Sequence, residues 1–292
     1  MGDQPVVSDA IEEAPKIILS PQPFVLQDAA KIPPRQWVYG RHYIRKFLSV
    51  TVAPGGTGKT AITLAEAVSM AAGRDLMGVK TEKRKVWIWN LEDPIDELQR
   101  RIAAICQHFN VSQGELGNRL LVNSGRDEPL IMATNIAGTN ILTPAADALT
   151  RHIIDLKIDC LIVDPFVSSH QLSENDNTAI DLVVKRWAQV ANDGNCSIEL
   201  VHHVRKGNAQ VEASVSDARG ASALVDAARH VRRLQRMTAK EAREADIGED
   251  QFWRYSREGD SKDNLAPPSL DDSWRQMRSI DLPNGDNVGV VE

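Results

Sequence analysis

From "KFLSVTV" onward, short apolar runs alternate with longer stretches whose apolar positions recur at helical spacing. The short runs, rich in Val, Ile and Trp, read as buried strands, and the spaced stretches as amphipathic helices. The pattern predicts strands over 46–53, 85–91, 119–123, 159–164 and 196–202, and helices near 58–73, 94–109, 144–157 and 178–192, with Thr143 and Asn177 as N-caps. Strands joined through helices must run mostly parallel, so the expected fold is α/β, one mononucleotide-binding core with helices on both sheet faces. After "SDARGASALVDAARHVRRL" the texture changes. "QFWRYSREG", "SWRQMRSIDL" and "VGVV" read as β segments joined by Gly, Pro and Asp turns, which predicts antiparallel strands at the C-terminal edge of the sheet.

Residues 1–35 carry Pro5, Pro15, Pro21, Pro23, Pro33 and Pro34 and show little periodicity beyond a short helical stretch at "SDAIEEA". They are expected to form a flexible arm that orders only against a neighbour, ahead of one domain over 36–292. A chain of 292 residues suffices for one large α/β unit. Its 42% hydrophobic and 5% aromatic content describes a soluble protein with an aliphatic core. No run approaches a membrane span, and the acidic N-terminus lacks the layout of a secretory signal, so the expected location is the cytoplasm. Cys106, Cys160 and Cys196 are odd in number and widely spaced, and no histidine stands at ligand spacing to them. They read as small buried residues rather than a disulfide framework or a metal site. A net charge of −6 argues against the whole chain being a magnet for nucleic acid, so a DNA partner would need a local basic patch or an assembly.

"VAPGGTGKT", residues 52–60, lies between a predicted strand and a predicted helix. Pro54, Gly55, Gly56, Thr57 and Gly58 form a loop whose backbone N–H groups can approach an anion, with the helix N-terminus adding its dipole. Lys59 would reach the β- and γ-phosphates of ATP, and the Thr60 hydroxyl would ligate Mg²⁺. The departure from G-x-x-x-x-G-K-[ST] is Ala53, tolerable if its φ is negative. A second acid is expected at the end of a buried strand beside the first, and "DCLIVDPF" supplies Asp164 as a holder of Mg²⁺. In "VWIWNLEDP", Glu92 is read as ending the strand that follows the P-loop helix, where a carboxylate can orient and deprotonate the attacking water. Asp93 and Pro94 open the next helix, and that role is also the bland alternative for Glu92.

The order "APGGTGKT", "WNLEDPIDELQRR", "LIVDP", "ELVHHVRKG" and "DARGASALVDAARHVRRL" resembles the RecA-like ATPases of the hexameric replicative helicase branch, and is closest to plasmid-type RepA helicases. The resemblance spans about 36–265. It implies a RecA-like P-loop core, a hexameric ring that hydrolyses ATP between subunits, and translocation on single-stranded DNA with replication proteins as possible partners. It implies that Lys59 and Thr60 are the P-loop pair, Glu92 the catalytic glutamate, Asp164 the Mg²⁺-associated acid and His203 the γ-phosphate sensor. Arg229 matches an arginine reaching the neighbouring subunit's nucleotide. In "SKDN" Lys262 is present, but Asn264 replaces the arginine of the family's Lys-x-Arg pair. Arg205 and Lys206 would line the ring's channel as a DNA-binding collar, with "SSHQLSENDN" as the second channel loop or an ordinary Asx-capped one.

Blander readings stand beside these. His202 and His203 also suit a strand-end pair with one member buried. Arg232, Arg233 and Arg236 are expected on a solvated face, and Arg100 and Arg101 are expected to pair with acids of their own helix. The alternative function is an ATP-switched replication or recombination regulator without unwinding activity. A small-molecule kinase is disfavoured by the lack of an arginine-rich lid.

Overall fold

A computed structural model describes residues 20–204, 221–266 and 272–292 of the chain. The chain divides into two units, residues 1–35 and 36–292. In the first, the Asp28 side chain accepts from Ala30 N at 3.0 Å and caps a single 3-10 turn, Ala29–Lys31.

The second unit opens with a small hairpin, β1 (Trp37–Tyr39) and β2 (Tyr43–Ile44), which the apolar pattern does not announce. The P-loop strand β3 (Leu48–Pro54) leads into α1 (Lys59–Ala72). There follow β4 (Val86–Asn90), α2 (Ile95–His108), α3 (Gln113–Leu116) and β5 (Leu120–Ser124). A separate hairpin, β6 (Ala133–Ile136) and β7 (Thr139–Leu142), precedes α4 (Ala145–Leu156), β8 (Cys160–Asp164), α5 (Asn177–Asp193) and β9 (Ser197–Val204). The chain closes with α6 (Ala221–Ala227), β10 (His230–Arg236), α7 (Ala239–Glu244), β11 (Tyr255–Asp263), β12 (Ser273–Asp281) and β13 (Asn287–Val291).

Among the described residues, nine strands form one sheet in the order β13-β12-β11-β10-β3-β9-β8-β4-β5. From β10 to β5 every neighbouring pair is parallel, and β10 to β13 are joined antiparallel, so the predicted C-terminal edge is antiparallel as expected. One neighbour relation differs. The Asp164 strand is not beside the P-loop strand, because β9 lies between them and pairs with both.

The continuous apolar strands fill two cores because side chains alternate across a sheet. Leu48, Val50, Val52, Trp87, Trp89, Leu161, Val163, Ile198 and Leu200 face one core with α4 and α5. Val86, Ile88, Cys160, Ile162 and Val201 face the other with α1, α2 and β13. Two caps shift by one residue. Asp176, not Asn177, caps α5, accepting from Thr178 N and Ala179 N at 3.0 Å. The N-cap of α4 is Pro144, though Thr143 Oγ1 still accepts from Ala145 N at 3.3 Å.

The largest departure is Arg232, expected on a solvated face and in fact 1% exposed. The parallel pairing of β10 with β3 sets Arg232 opposite Thr51, toward the α1 side of the sheet. There its Nε donates to Thr51 Oγ1 at 2.7 Å, Nη1 to Glu66 and to Glu258 at 2.5 and 3.0 Å, and Nη2 to Glu66 at 2.7 Å. A one-dimensional run of four arginines cannot show which of them turns inward. Pairing in the sheet decides it.

Candidate nucleotide site

Parallel strands present their C-terminal ends on one side, and β3, β4, β8 and β9 all end there. They open onto a cleft of about 650 Å³ lined by the P-loop, Glu92, Asp93, His203, the first turns of α2 and the β12–β13 hairpin.

The P-loop turns through two glycines with positive φ, Gly56 at 72° and Gly58 at 98°. A side chain is disfavoured at both on backbone grounds. A Cβ on Gly58 would also approach Met277 Cε at 3.2 Å, so the C-terminal hairpin sits directly over this turn. Ala53 lies inside β3 opposite His203 and is not among the residues of positive φ, so the missing first glycine costs nothing in conformation. Thr57 Oγ1 donates to Pro54 O at 2.8 Å, and Gly56 O accepts from Arg236 Nη2 at 2.6 Å. Arg236 therefore braces the loop instead of facing solvent alone.

Lys59 is 3% exposed, and its Nζ donates to Ala53 O and Pro54 O at 2.8 and 2.9 Å. Burial lowers its pKa to about 8, against the opposing pull of Asp164 and Glu92. Thr60 Oγ1 donates to Asp164 Oδ2 at 2.6 Å. Burial raises the Asp164 carboxyl to about 6, despite the Thr60 hydrogen bond and the Lys59 ammonium, with Glu92 and Asp93 adding to the rise. The ammonium and the carboxylate are each short of countercharge, a condition that polyanion and cation together would relieve. The donor set fits the pair: backbone N–H groups and an ammonium for phosphate, and a hydroxyl with a carboxylate for a hard divalent cation.

Glu92 does not end its strand. β4 stops at Asn90, whose Oδ1 accepts from Glu92 N at 3.0 Å and Asp93 N at 2.7 Å, turning the chain outward. The turn is pinned through its carbonyls, Glu92 O by Arg126 Nε at 2.6 Å and Asp93 O by Ser124 Oγ at 2.8 Å. That leaves the Glu92 side chain exposed in the cleft. Asp93 does more than open a helix: it pairs with Arg101 at 3.0 Å and lines the cleft, while the α2 N-cap, Pro94, has no capping side chain.

Arg100 and Arg101 pair with acids of their own helix, Arg100 with Asp96 at 2.9 Å and Arg101 with Glu97 at 2.9 Å. Arg100 Nε also reaches Asp286 of the β12–β13 turn at 2.9 Å, tying α2 to the hairpin across the cleft mouth. Met277, Asp286 and Asn287 went unnoticed in the sequence, since nothing local marks the far end of the chain as a wall of this site.

The intervening strand β9 delivers the histidine pair. His203 faces the cleft, and burial together with Lys59 lowers its pKa. His202 is buried on the other side of the strand, lowered to about 4 by burial, with His203, Lys59 and His170 adding to the fall. Arg229 and Lys262 are elsewhere. Arg229 N donates to Leu48 O at the start of β3, about 20 Å along the strand from the P-loop at about 3.3 Å per residue. Its exposed guanidinium sits 5.9 Å from the Phe47 ring centre. Lys262, on the adjoining strand, caps α6 by donating to Val225 O and Asp226 O at 3.0 and 2.7 Å. Neither touches this chain's own cleft. Arg205 and Lys206 lie outside the described residues, as does the "SDAIEEA" stretch. The loop after β8 is described, and Asp176 gives it the ordinary Asx-capped ending.

A glycine-turned loop between a parallel strand and a helix, with a lysine, a hydroxyl and a buried aspartate converging on it, defines a P-loop nucleotide-binding protein. The chain belongs to the AAA domain family, whose model matches residues 15–209, a span holding the P-loop, Glu92, Asp164 and His203. Membership supports a nucleotide-dependent P-loop ATPase, with Mg²⁺ as the usual companion of the nucleotide. Among the described residues, no helix is long and apolar enough to cross a membrane.

Proposed function

We propose that this chain is a Mg²⁺-dependent ATPase of the RecA-like kind, working at the subunit interfaces of a homo-oligomeric, hexameric ring and coupling hydrolysis to movement on single-stranded DNA. The observation that carries this reading is the separation of parts along one sheet. Lys59, Thr60, Glu92, Asp164 and His203 meet at one end, while Arg229 and Lys262 share the other, out of reach of their own nucleotide. Cations so placed can act on a nucleotide only if another subunit brings it to them. Arg229 is the better finger, because Lys262 is engaged in capping α6.

In this mechanism Lys59 leaves the carbonyls of Ala53 and Pro54 for the β- and γ-phosphates. Mg²⁺, held by the Thr60 hydroxyl and Asp164, would neutralise charge on the phosphate oxygens. Glu92 takes a proton from the attacking water, and its pinned backbone keeps the carboxylate facing the cleft. His203 lies on the strand that runs directly into residues 205–220, so a change at the γ-phosphate has a short path to Arg205 and Lys206, the proposed DNA contacts.

The deciding experiment measures ATPase rate and oligomer mass with and without single-stranded DNA. A ring whose hydrolysis rises with DNA is expected. Glu92→Gln should bind ATP without hydrolysing it and should regain activity when mixed with Arg229→Ala, since each supplies what the other's interface lacks. A monomer indifferent to DNA would support the ATP-switched regulator instead, and wild-type hydrolysis by Glu92→Gln would remove Glu92 from the mechanism.

A further inference from the structure

At the end of the sheet away from the cleft, a second polar group is short of partners. His230 opens β10 and is 3% exposed. Its Nε2 lies 3.0 Å from Asp260 Oδ1 on β11. Among the described residues its Nδ1 has no hydrogen-bond partner; it stands 3.6 Å from Asp263 Oδ2, which is likewise buried and without one among them. The other oxygen of Asp263 accepts from Leu265 N and Ala266 N at 2.9 and 2.8 Å, so the carboxylate is fixed with Oδ2 turned to the imidazole.

Orphaned buried acceptors cost free energy, so two facing each other call for an occupant. The two atoms do not hydrogen-bond directly, because 3.6 Å exceeds the N–H···O range of about 2.7–3.2 Å. A metal fits well: ligand atoms each about 2.1 Å from a shared cation stand about 3.6 Å apart when the angle between them is near 118°. The surroundings match a metal-bound imidazole. Asp260 on Nε2 is the carboxylate that a metal-ligating histidine usually contacts with its other nitrogen, fixing the tautomer that leaves Nδ1 unprotonated. One ligand atom from each of His230, Asp260 and Asp263 lies within 4.8 Å of the others. His42 stacks edge-on against His230 at 4.6 Å.

We propose that a divalent transition cation, Zn²⁺ in preference to Mg²⁺, binds between His230 Nδ1 and Asp263 Oδ2, with Asp260 orienting the ring and water completing the coordination. Imidazole nitrogen favours zinc, whereas Mg²⁺ favours oxygen ligands and keeps its water. The cation fastens the paired ends of β10 and β11, the ends that carry Arg229 and Lys262. Binding itself does not depend on the proposed motor function.

The test is titration of the full chain, freed of metal by chelation and without nucleotide, with Zn²⁺ and separately with Mg²⁺. One equivalent of Zn²⁺ is expected, with Mg²⁺ much weaker. Asp263→Asn keeps the acceptor for Leu265 and Ala266 and should weaken Zn²⁺ at least about tenfold, and Asp260→Asn about 10–100-fold. Asp164→Asn, which alters only the phosphate cleft, should leave it unchanged. Co²⁺ as a spectroscopic probe should show nitrogen ligation that His230→Gln removes. Absence of saturable Zn²⁺ binding, binding indifferent to Asp263→Asn, or loss in Asp164→Asn would each overturn the site. The titration contains no nucleotide, so the outcomes for Asp263→Asn, Asp260→Asn and His230→Gln do not test ATP hydrolysis.

Discussion

Two buried polar clusters flank α1, and they are finished to different degrees. Around Arg232 every nitrogen of the guanidinium has an acceptor, and Tyr43 OH donates to Glu66 at 2.6 Å. Burial opposes ionisation of Glu258, but the guanidiniums of Arg232 and Arg275 outweigh it and hold the carboxyl at about 2. Burial prevails at Glu66, whose hydrogen bonds are nonetheless filled, and it prevails in the cleft as well. Burial outweighs the charges that are present, and Lys59 and Asp164 are pushed toward neutrality. A saturated cluster is architecture, joining α1, β3, β10 and β11. An unsaturated one at a cleft is a place where a ligand supplies the missing charge.

Breaking the saturated cluster should give the largest effect on stability. Arg232→Ala leaves the buried Glu66 carboxyl without its cation and Glu258 with Arg275 alone, and should cost about 3–5 kcal/mol in chemical denaturation. Replacing Lys59 should give the opposite profile. Lys59→Ala removes a charge that the fold disfavours, so its midpoint should hold within about 1 kcal/mol, while ATP affinity by calorimetry should fall about 100-fold, near 3 kcal/mol.

The smallest effect is in pH. Because the folded-state pKa of Asp164 is raised, its contribution to stability is full below the unfolded value and is lost as pH climbs through about 6. Lys59, lowered to about 8, contributes above its ordinary value and loses that contribution as pH falls through about 8. At pH 7 both therefore oppose the unliganded fold. Addition of Mg²⁺ with ATP should raise the melting temperature more at pH 7.5 than at pH 5.5, where a protonated Asp164 cannot hold the cation. An equal rise at both values would mean that Asp164 is not a metal-facing acid.

Legibility in the sequence followed the range of the interactions involved. The P-loop, the parallel strands and their helices rest on local patterns, and the predicted segments fall within a few residues of the observed ones. The β1–β2 and β6–β7 hairpins escaped, because strands of two to four residues carry too few positions to show a period. The Asn90 turn was hidden too. It depends on Ser124 and Arg126, more than thirty residues away, to hold the carbonyls beside Glu92.

The sequence by itself determined which residue types could meet a phosphate, and where strands and helices run, because glycine conformation and hydrophobic period are properties of short segments. Only the tertiary structure decided that β9 stands between β3 and β8, that Arg232 is a core residue, that the C-terminal hairpin walls the cleft and that His230 faces Asp263. Each of these depends on strand order and register, which bring together residues that no local pattern connects.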